Sequence, residues 1–234
     1  MESNTFYFIL EQRIKKCNGI QETSQIFLVF GIVILMGIKI TFVTGNKHKF
    51  EEVSKLLETS VEGYEVIQST KELSELQADS LEEVAKFKVN SVKTVIKPPY
   101  FIEDAGFFVD DVCKGFPGVY SSYVMKTIGY EGILKILGST DQRKAHFESV
   151  IAYIDEYYQI RFFKGINEGA VALEAKGESG FGFDPIFISK DTPDRTFAEL
   201  TMEEKNAISH RRRAMMKLIE FLNSKKNKSQ SRSN

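Results

Sequence analysis

The chain has 234 residues, 42% hydrophobic and 27% charged, with 31 basic against 32 acidic side chains and a formal net charge of −1. That composition suits an ordinary globular protein with one sizeable core, and without a basic excess no nucleic-acid partner is expected. Cys17 and Cys113 are too few and too far apart for a disulfide framework or a zinc site, and His48, His146 and His210 stand isolated, so any metal would have oxygen ligands, as Mg²⁺ or Mn²⁺ do. A reducing, cytoplasmic setting follows.

Residues 1–35 read as an N-terminal extension that closes in an apolar run over 26–38. The run is too short to span a bilayer and no small-residue cleavage site follows it, so neither a membrane partner nor a signal peptide is expected. Met36 stands just before the first domain strand, which sets the expected domain at 36–223 and leaves 224–234 as a basic, disordered tail.

Ile38–Val43 reads as a buried strand closed by Thr44, Gly45 and Asn46, after which Phe50, Val53, Leu56 and Leu57 repeat at helical spacing. Strand, glycine turn and helix aim backbone N–H groups at one point, and Lys47, His48 and Lys49 add positive charge there. The pattern lacks the GxxxxGK[ST] of a Walker A loop and fits either an anion site or an exposed basic first turn.

A second strand is expected over 64–68, with Glu75 in an irregular polar stretch beyond it. Ser80 and Glu83 have capping-box spacing, and Leu81, Val84, Ala85, Val92 and Val95 or Ile96 mark the inward stripe of a helix ended by Pro98 and Pro99. Lys88 falls on that stripe, where spacing alone favours a lysine snorkelling to solvent.

Tyr100, Phe101 and Ile102 read as a short strand that delivers Glu103 and Asp104 to a turn at Ala105 and Gly106. Asp110 and Asp111 follow, then a tight turn over 115–118. Four carboxylates in this short stretch suggest a divalent cation, or merely an acidic solvated turn. A helical patch through Leu137 and a hairpin of strands over 145–154 and 159–163 carry no visible chemistry.

The glycine-rich loop 177–185 carries Phe181, Phe183 and Asp184 into a strand over 186–188. An aromatic face beside a carboxylate can hold a nucleobase, although packing both rings into the core is the commoner outcome. Thr201 and Glu204 have capping-box spacing, and a last helix is expected to end near Leu222. There Met215, Leu218 and Leu222 form the buried stripe, and Arg211 shares it whereas Arg212 and Arg213 do not. An inward arginine needs a partner.

Five segments in this order, TGNKHK (44–49), FIEDAGFFVD (101–110), GFPGVYSS (115–122), GFGFDPIF (180–187) and EEKNAISHRRRA (203–214), resemble the inosine and xanthosine triphosphate pyrophosphatases. The resemblance runs from Ile38 to Leu222 and leaves residues 1–35 unmatched. It implies an α/β fold with an elongated mixed central sheet and flanking helices in two lobes, an active site in the cleft between them, and a homodimer. The implied reaction is Mg²⁺-dependent hydrolysis of ITP, dITP or XTP to the monophosphate and pyrophosphate. A Maf-type pyrophosphatase for modified or pyrimidine nucleotides is the alternative.

The same resemblance implies roles for single residues. Thr44, Gly45, Asn46, Lys47, His48 and Lys49, with Lys88, would bind the triphosphate. Glu75 and Asp104 would hold the metal, and Asp104 would activate the attacking water. Phe181, Gly182, Phe183 and Asp184 would form the base site with Lys205, His210 and Arg211. Ala105 departs from the family's usual Ser or Thr and leaves only a backbone N–H for the substrate.

Overall fold

The computed structural model describes residues 26–29, 32–35 and 38–230. It falls into two units divided after Ile38, the first residue of the strand that opens the second unit. In the first, the β-branched and aliphatic segments β1 (Ile26–Val29) and β2 (Ile32–Leu35) form an antiparallel pair, Ile26 opposite Leu35.

The second unit is a mixed α/β fold built on a mixed sheet. Its strands are β3 (Ile38–Val43), β4 (Tyr64–Ser69), β5 (Tyr100–Val109), β6 (Pro117–Gly118), β7 (Lys144–Ile154), β8 (Ile160–Val171) and β9 (Phe187–Ser189), in the order β4-β3-β5-β7-β8-β9 with β6 also on β5. β3 runs parallel to β5, and the β5–β7, β7–β8 and β8–β9 pairs are antiparallel. The helices are α1 (Lys47–Ser60), α2 (Leu81–Ser91), α3 (Ser121–Thr127), α4 (Gly129–Leu137), α5 (Met202–Ile208) and α6 (His210–Gln230). Among the described residues no helix is long and apolar enough to cross a membrane.

Side chains that alternate along β5 and β7 sort the core by face. Phe101, Ile151 and Tyr153 pack with Val53 and Leu57 of α1 and with Met215, Leu218 and Leu222 of α6. Tyr100, Ile102, Val150, Ala152 and Ile154 point the other way and pack against Leu81, Ala85 and Val89 of α2. Further along the same strands Phe107, Val109, Ala145 and Phe147 join Val124 of α3, Ile133 of α4 and Phe187 of β9.

Four local expectations change. Ala105 and Gly106 are not a turn, since β5 runs straight through them to Val109. Gly106 is needed because a Cβ there would lie 2.5 Å from the Gly118 carbonyl oxygen, so this glycine serves a close approach of strands. Helix α2 ends at Ser91, well before the prolines, and α6 continues to Gln230 through part of the expected tail. The capping box at Ser80 is half made: Ser80 Oγ accepts from Glu83 N, but the Glu83 carboxylate accepts from Asp79 N. Thr201 and Glu204 form theirs in full.

Candidate active site

At one end of the site β3 stops at Val43 and the chain turns into α1. Asn46 caps the helix: its Oδ1 accepts from Lys49 N at 3.0 Å, while its own N–H donates to Thr44 Oγ1 at 3.1 Å. Gln68 Nε2 donates to Thr44 O at 3.0 Å and pins the turn from β4. The first turn of α1 holds no acid, so its unpaired N–H groups and the positive end of the helix dipole stay available to an anion. Lys47 and His48 do not join the cavity through their side chains. Lys47 is 83% exposed beside Glu51, and the His48 ring sits 6.5 Å from that of Phe181.

Neighbouring residues of a strand face opposite ways, and this divides the acidic pair. Glu103 points to the α1 and α6 side. There Lys49 Nζ lies 2.7 Å from Oε2, Ser149 Oγ donates to Oε1 at 2.7 Å, and Arg211 Nε donates to Oε1 at 3.3 Å. Burial alone would push this carboxyl up, but Arg211 and Lys49 outweigh it and hold Glu103 well below the usual carboxylate range. Arg211 also donates to Glu52 Oε2 at 2.7 Å and is almost fully buried.

Asp104 faces α2. Lys88 Nζ donates to Asp104 Oδ1 at 2.6 Å and lies 2.9 Å from Glu75 Oε2. Lys88 is therefore a buried, ion-paired lysine and not a snorkelling one, because Asp104 and Glu75 hold the charge inside the fold. Asp104 Oδ2 is buried without a hydrogen-bond partner. Burial raises the Asp104 pKa above the ordinary 3.8, and Lys88 and Lys49 offset only part of that rise. The remaining two carboxylates of the stretch serve elsewhere: Asp110 pairs with His146 at 2.9 Å, and Asp111 accepts from Lys144 N. At roughly 3.3 Å per residue they lie about 20 Å along the strand from Asp104, so the four do not form one cation cage.

The position of this pair follows from the sheet. β3 pairs with β5 at Tyr100 and Phe101, and β6 pairs with it at Phe107 and Phe108. Between them an edge of β5 is left open at Glu103 to Gly106. By alternation the Ala105 N–H and C=O face that edge, as do the Glu103 C=O, 3.5 Å from Lys49 Nζ, and the Phe107 N–H, which donates to Ser121 Oγ.

At the other end, the glycine-rich loop separates its two rings. Phe183 is buried and stacks on Phe107 at 4.8 Å, whereas Phe181 stays 41% exposed. Gly180 and Gly182 both have positive φ, and Asp184 Oδ2 accepts from Phe181 N at 2.8 Å, fixing the ring's approach. Lys205 pairs with Asp184 and lies 4.6 Å above the Phe181 ring, and the Arg211 guanidinium lies 5.9 Å from it. Burial lifts the Asp184 pKa against the pull of Lys205. His210 stacks on Phe147 at 4.8 Å. Burial and then the Arg211 charge keep it neutral, and its Nδ1 is buried without a partner.

One cavity of about 600 Å³ joins both ends. Every residue expected at the site lines it except Lys47 and His48. Glu52 and Ser149 were not singled out from sequence, and the helical patch that holds α3 was given no chemistry there. A serine inside the apolar run of β7 and a glutamate next to buried Val53 were the available signals.

Residues 40–221 match the model of the Ham1 family. The chain is 50% identical over 185 residues to a dITP/XTP pyrophosphatase of Thermococcus kodakarensis, covering 79% of this chain and 97% of the relative. It is 46% identical over 187 residues to one of Pyrococcus horikoshii, with coverage of 79% and 97%. Among solved structures, the Staphylococcus aureus Ham1 protein superposes with a TM-score of 0.70 at 30% identity, covering 80% of this chain and 100% of that one. A HAM1 protein from Coxiella burnetii gives 0.70 at 29% identity, with coverage of 80% and 99%. With the family match spanning nearly all of the second unit, this chain belongs to the Ham1 family.

Proposed function

We propose that the chain hydrolyses the non-standard purine nucleoside triphosphates dITP, ITP and XTP between the α- and β-phosphates, giving the monophosphate and pyrophosphate. One observation carries the reading. A single cavity joins a helix N-terminus backed by lysines to an aromatic ring flanked by cationic donors, and an incompletely paired carboxylate stands on the strand between. Its volume lies within the range of small-molecule sites.

On this reading the N–H groups of α1, with Lys49, receive the triphosphate. Asp104 orients the attacking water and takes its proton. Lys88 fixes the carboxylate through Oδ1 and leaves Oδ2 without a protein partner, for the water. Phe181 stacks on the purine, and Arg211 and Lys205 offer donors to its keto oxygen. An adenine amino group would meet those donors unpaired, and such mismatches discriminate by about 10⁴-fold or more.

Glu75 and Asp104 would hold Mg²⁺, with Mn²⁺ as the alternative. The fit rests on the oxygen donors that both carboxylates bring to the cavity. Among the described residues no three acids or histidines converge into a preformed cage, which suits a cation completed by water and substrate phosphates. When bound, it supplies neutralisation of charge on the leaving pyrophosphate.

The packing around Tyr100 and Phe101 at one end of β5 and that around Phe107 and Phe147 further along make the two lobes of this reading, with the cleft at the open edge of β5. Residues 36–223 make the catalytic domain, and two copies of the chain form a homodimer, which sedimentation velocity would test. The activity itself is tested by pyrophosphate release from ITP, XTP, dUTP and ATP with and without Mg²⁺. Preference for ITP and XTP with metal is expected, and preference for dUTP would replace this reading with a Maf-type one.

A further inference from the structure

Most cations of the cavity are already matched by carboxylates of the protein. Lys49 lies 2.7 Å from Glu103, Lys88 2.6 Å from Asp104, Lys205 pairs with Asp184, and Arg211 lies 2.7 Å from Glu52. Each can turn to a phosphate only by loosening its own pair. His210 adds nothing, since it is held neutral. A triphosphate carries about four negative charges at neutral pH, so the cavity needs positive charge that is not already committed.

Lys126 has the required character. It lines the cavity from the last turn of α3, is exposed, and has no acid on its own helix, SSYVMKT. Its ammonium has no ion-pair or hydrogen-bond partner among the described residues. Lys71, which also lines the cavity, differs in sitting on an irregular segment and not on a helix tied to β5. The platform under Lys126 is fixed. Ser121 Oγ accepts from Phe107 N at 2.7 Å and donates to Gly118 O at 2.6 Å, and Val124 is buried in the core. That anchoring places the lysine beside the open edge of β5.

We propose that Lys126 is a polyphosphate-binding residue, an uncommitted cation that meets the substrate's triphosphate from the α3 side. The assignment rests on the pyrophosphatase reading for the identity of the substrate, but its chemistry requires only a polyanion. Because the ammonium has no partner among the described residues, its contact is gained on binding without breaking a protein ion pair.

The test is calorimetric titration of inorganic triphosphate into the full chain in EDTA, for the wild type, Lys126→Ala and Lys126→Arg, at two salt concentrations. Lys126→Ala should bind about five- to tenfold more weakly, with a shallower dependence on salt and an unchanged Tm, and Lys126→Arg should bind nearly as wild type. Equal affinity of wild type and Lys126→Ala overturns the proposal, as does failure of Lys126→Arg to restore binding. Should the wild type bind triphosphate yet fail to hydrolyse ITP, the pyrophosphatase reading falls while Lys126 is still judged on these titrations.

Discussion

Glu103 and Asp104 are consecutive residues of one strand, yet the two faces of β5 give them opposite characters. On the α1 and α6 face, two cations and a hydroxyl surround Glu103 and keep it ionised. On the α2 face, Asp104 has one ion-paired oxygen, one without a partner, and a pKa pushed up by burial. Neither carboxylate has a hydrogen bond on both oxygens, but Glu103 has a cation beside each of its oxygens whereas Asp104 has one at Oδ1 alone, and the carboxylate matched on both sides organises its neighbours while the other is available for chemistry. Proximity in sequence therefore says little about shared function when the backbone is extended.

The largest effect that would break this contrast is on turnover. Asp104→Asn should lower kcat for ITP by about 10³-fold or more, because the base is lost while the shape is kept. Near-normal pyrophosphate release from this variant would remove Asp104 from the chemistry. Next is stability: Glu103→Gln should cost about 3 kcal/mol at pH 7 in urea denaturation, since Arg211 and Lys49 lose the charge they share. Glu103 has a depressed folded pKa, so its contribution is full above the ordinary 4.5 and is lost as pH falls below that value. The deficit of Glu103→Gln should accordingly shrink in acid, and a constant deficit would mean packing and not charge.

Arg211→Ala sharpens the contrast from the base end. It should cost about 1–3 kcal/mol of transition-state binding for ITP while the low activity towards ATP hardly changes. The pairs with Glu103 and Glu52 mean that it also lowers Tm, so the ratio of the two substrates is the diagnostic readout. An equal fall for both would assign Arg211 to phosphate or to the fold. Arg212→Ala is the cleaner control, because Arg213 donates to Ile166 O at 2.8 Å and pairs with Asp191. The smallest effect expected is that of a chain starting at Met36, which should hydrolyse ITP like the full chain. Lost solubility would put residues 1–35 into the domain.

What could be read from sequence was local. Apolar spacing revealed α1, the inward face of α2 and the stripe of α6 that carries Arg211, and the linked glycines and lysines marked the helix N-terminus. What could not be read depends on chain crossings. Glu103 receives its partners from positions 49, 149 and 211, and no window of sequence brings these together. Lys88 showed its face but not the acids waiting there. Gly106 looked like a turn because glycine permits turns, while its actual constraint is a carbonyl from a segment further along the chain. The spacing of Asp110 and Asp111 to the first acidic pair suggested one metal cluster only because the strand was expected to end before them.

The most direct test compares the unfolding free energies of Asp104→Asn and Glu103→Gln at pH 7, beside their rates of pyrophosphate release from ITP. Asp104→Asn should lose less than about 1 kcal/mol while being inactive, because burial already opposes the ionised carboxylate and Lys88 keeps Glu75 at 2.9 Å. Glu103→Gln should lose about 3 kcal/mol. The reverse order of stabilities, or turnover that survives in Asp104→Asn, would contradict the division of β5 into a structural and a chemical carboxylate.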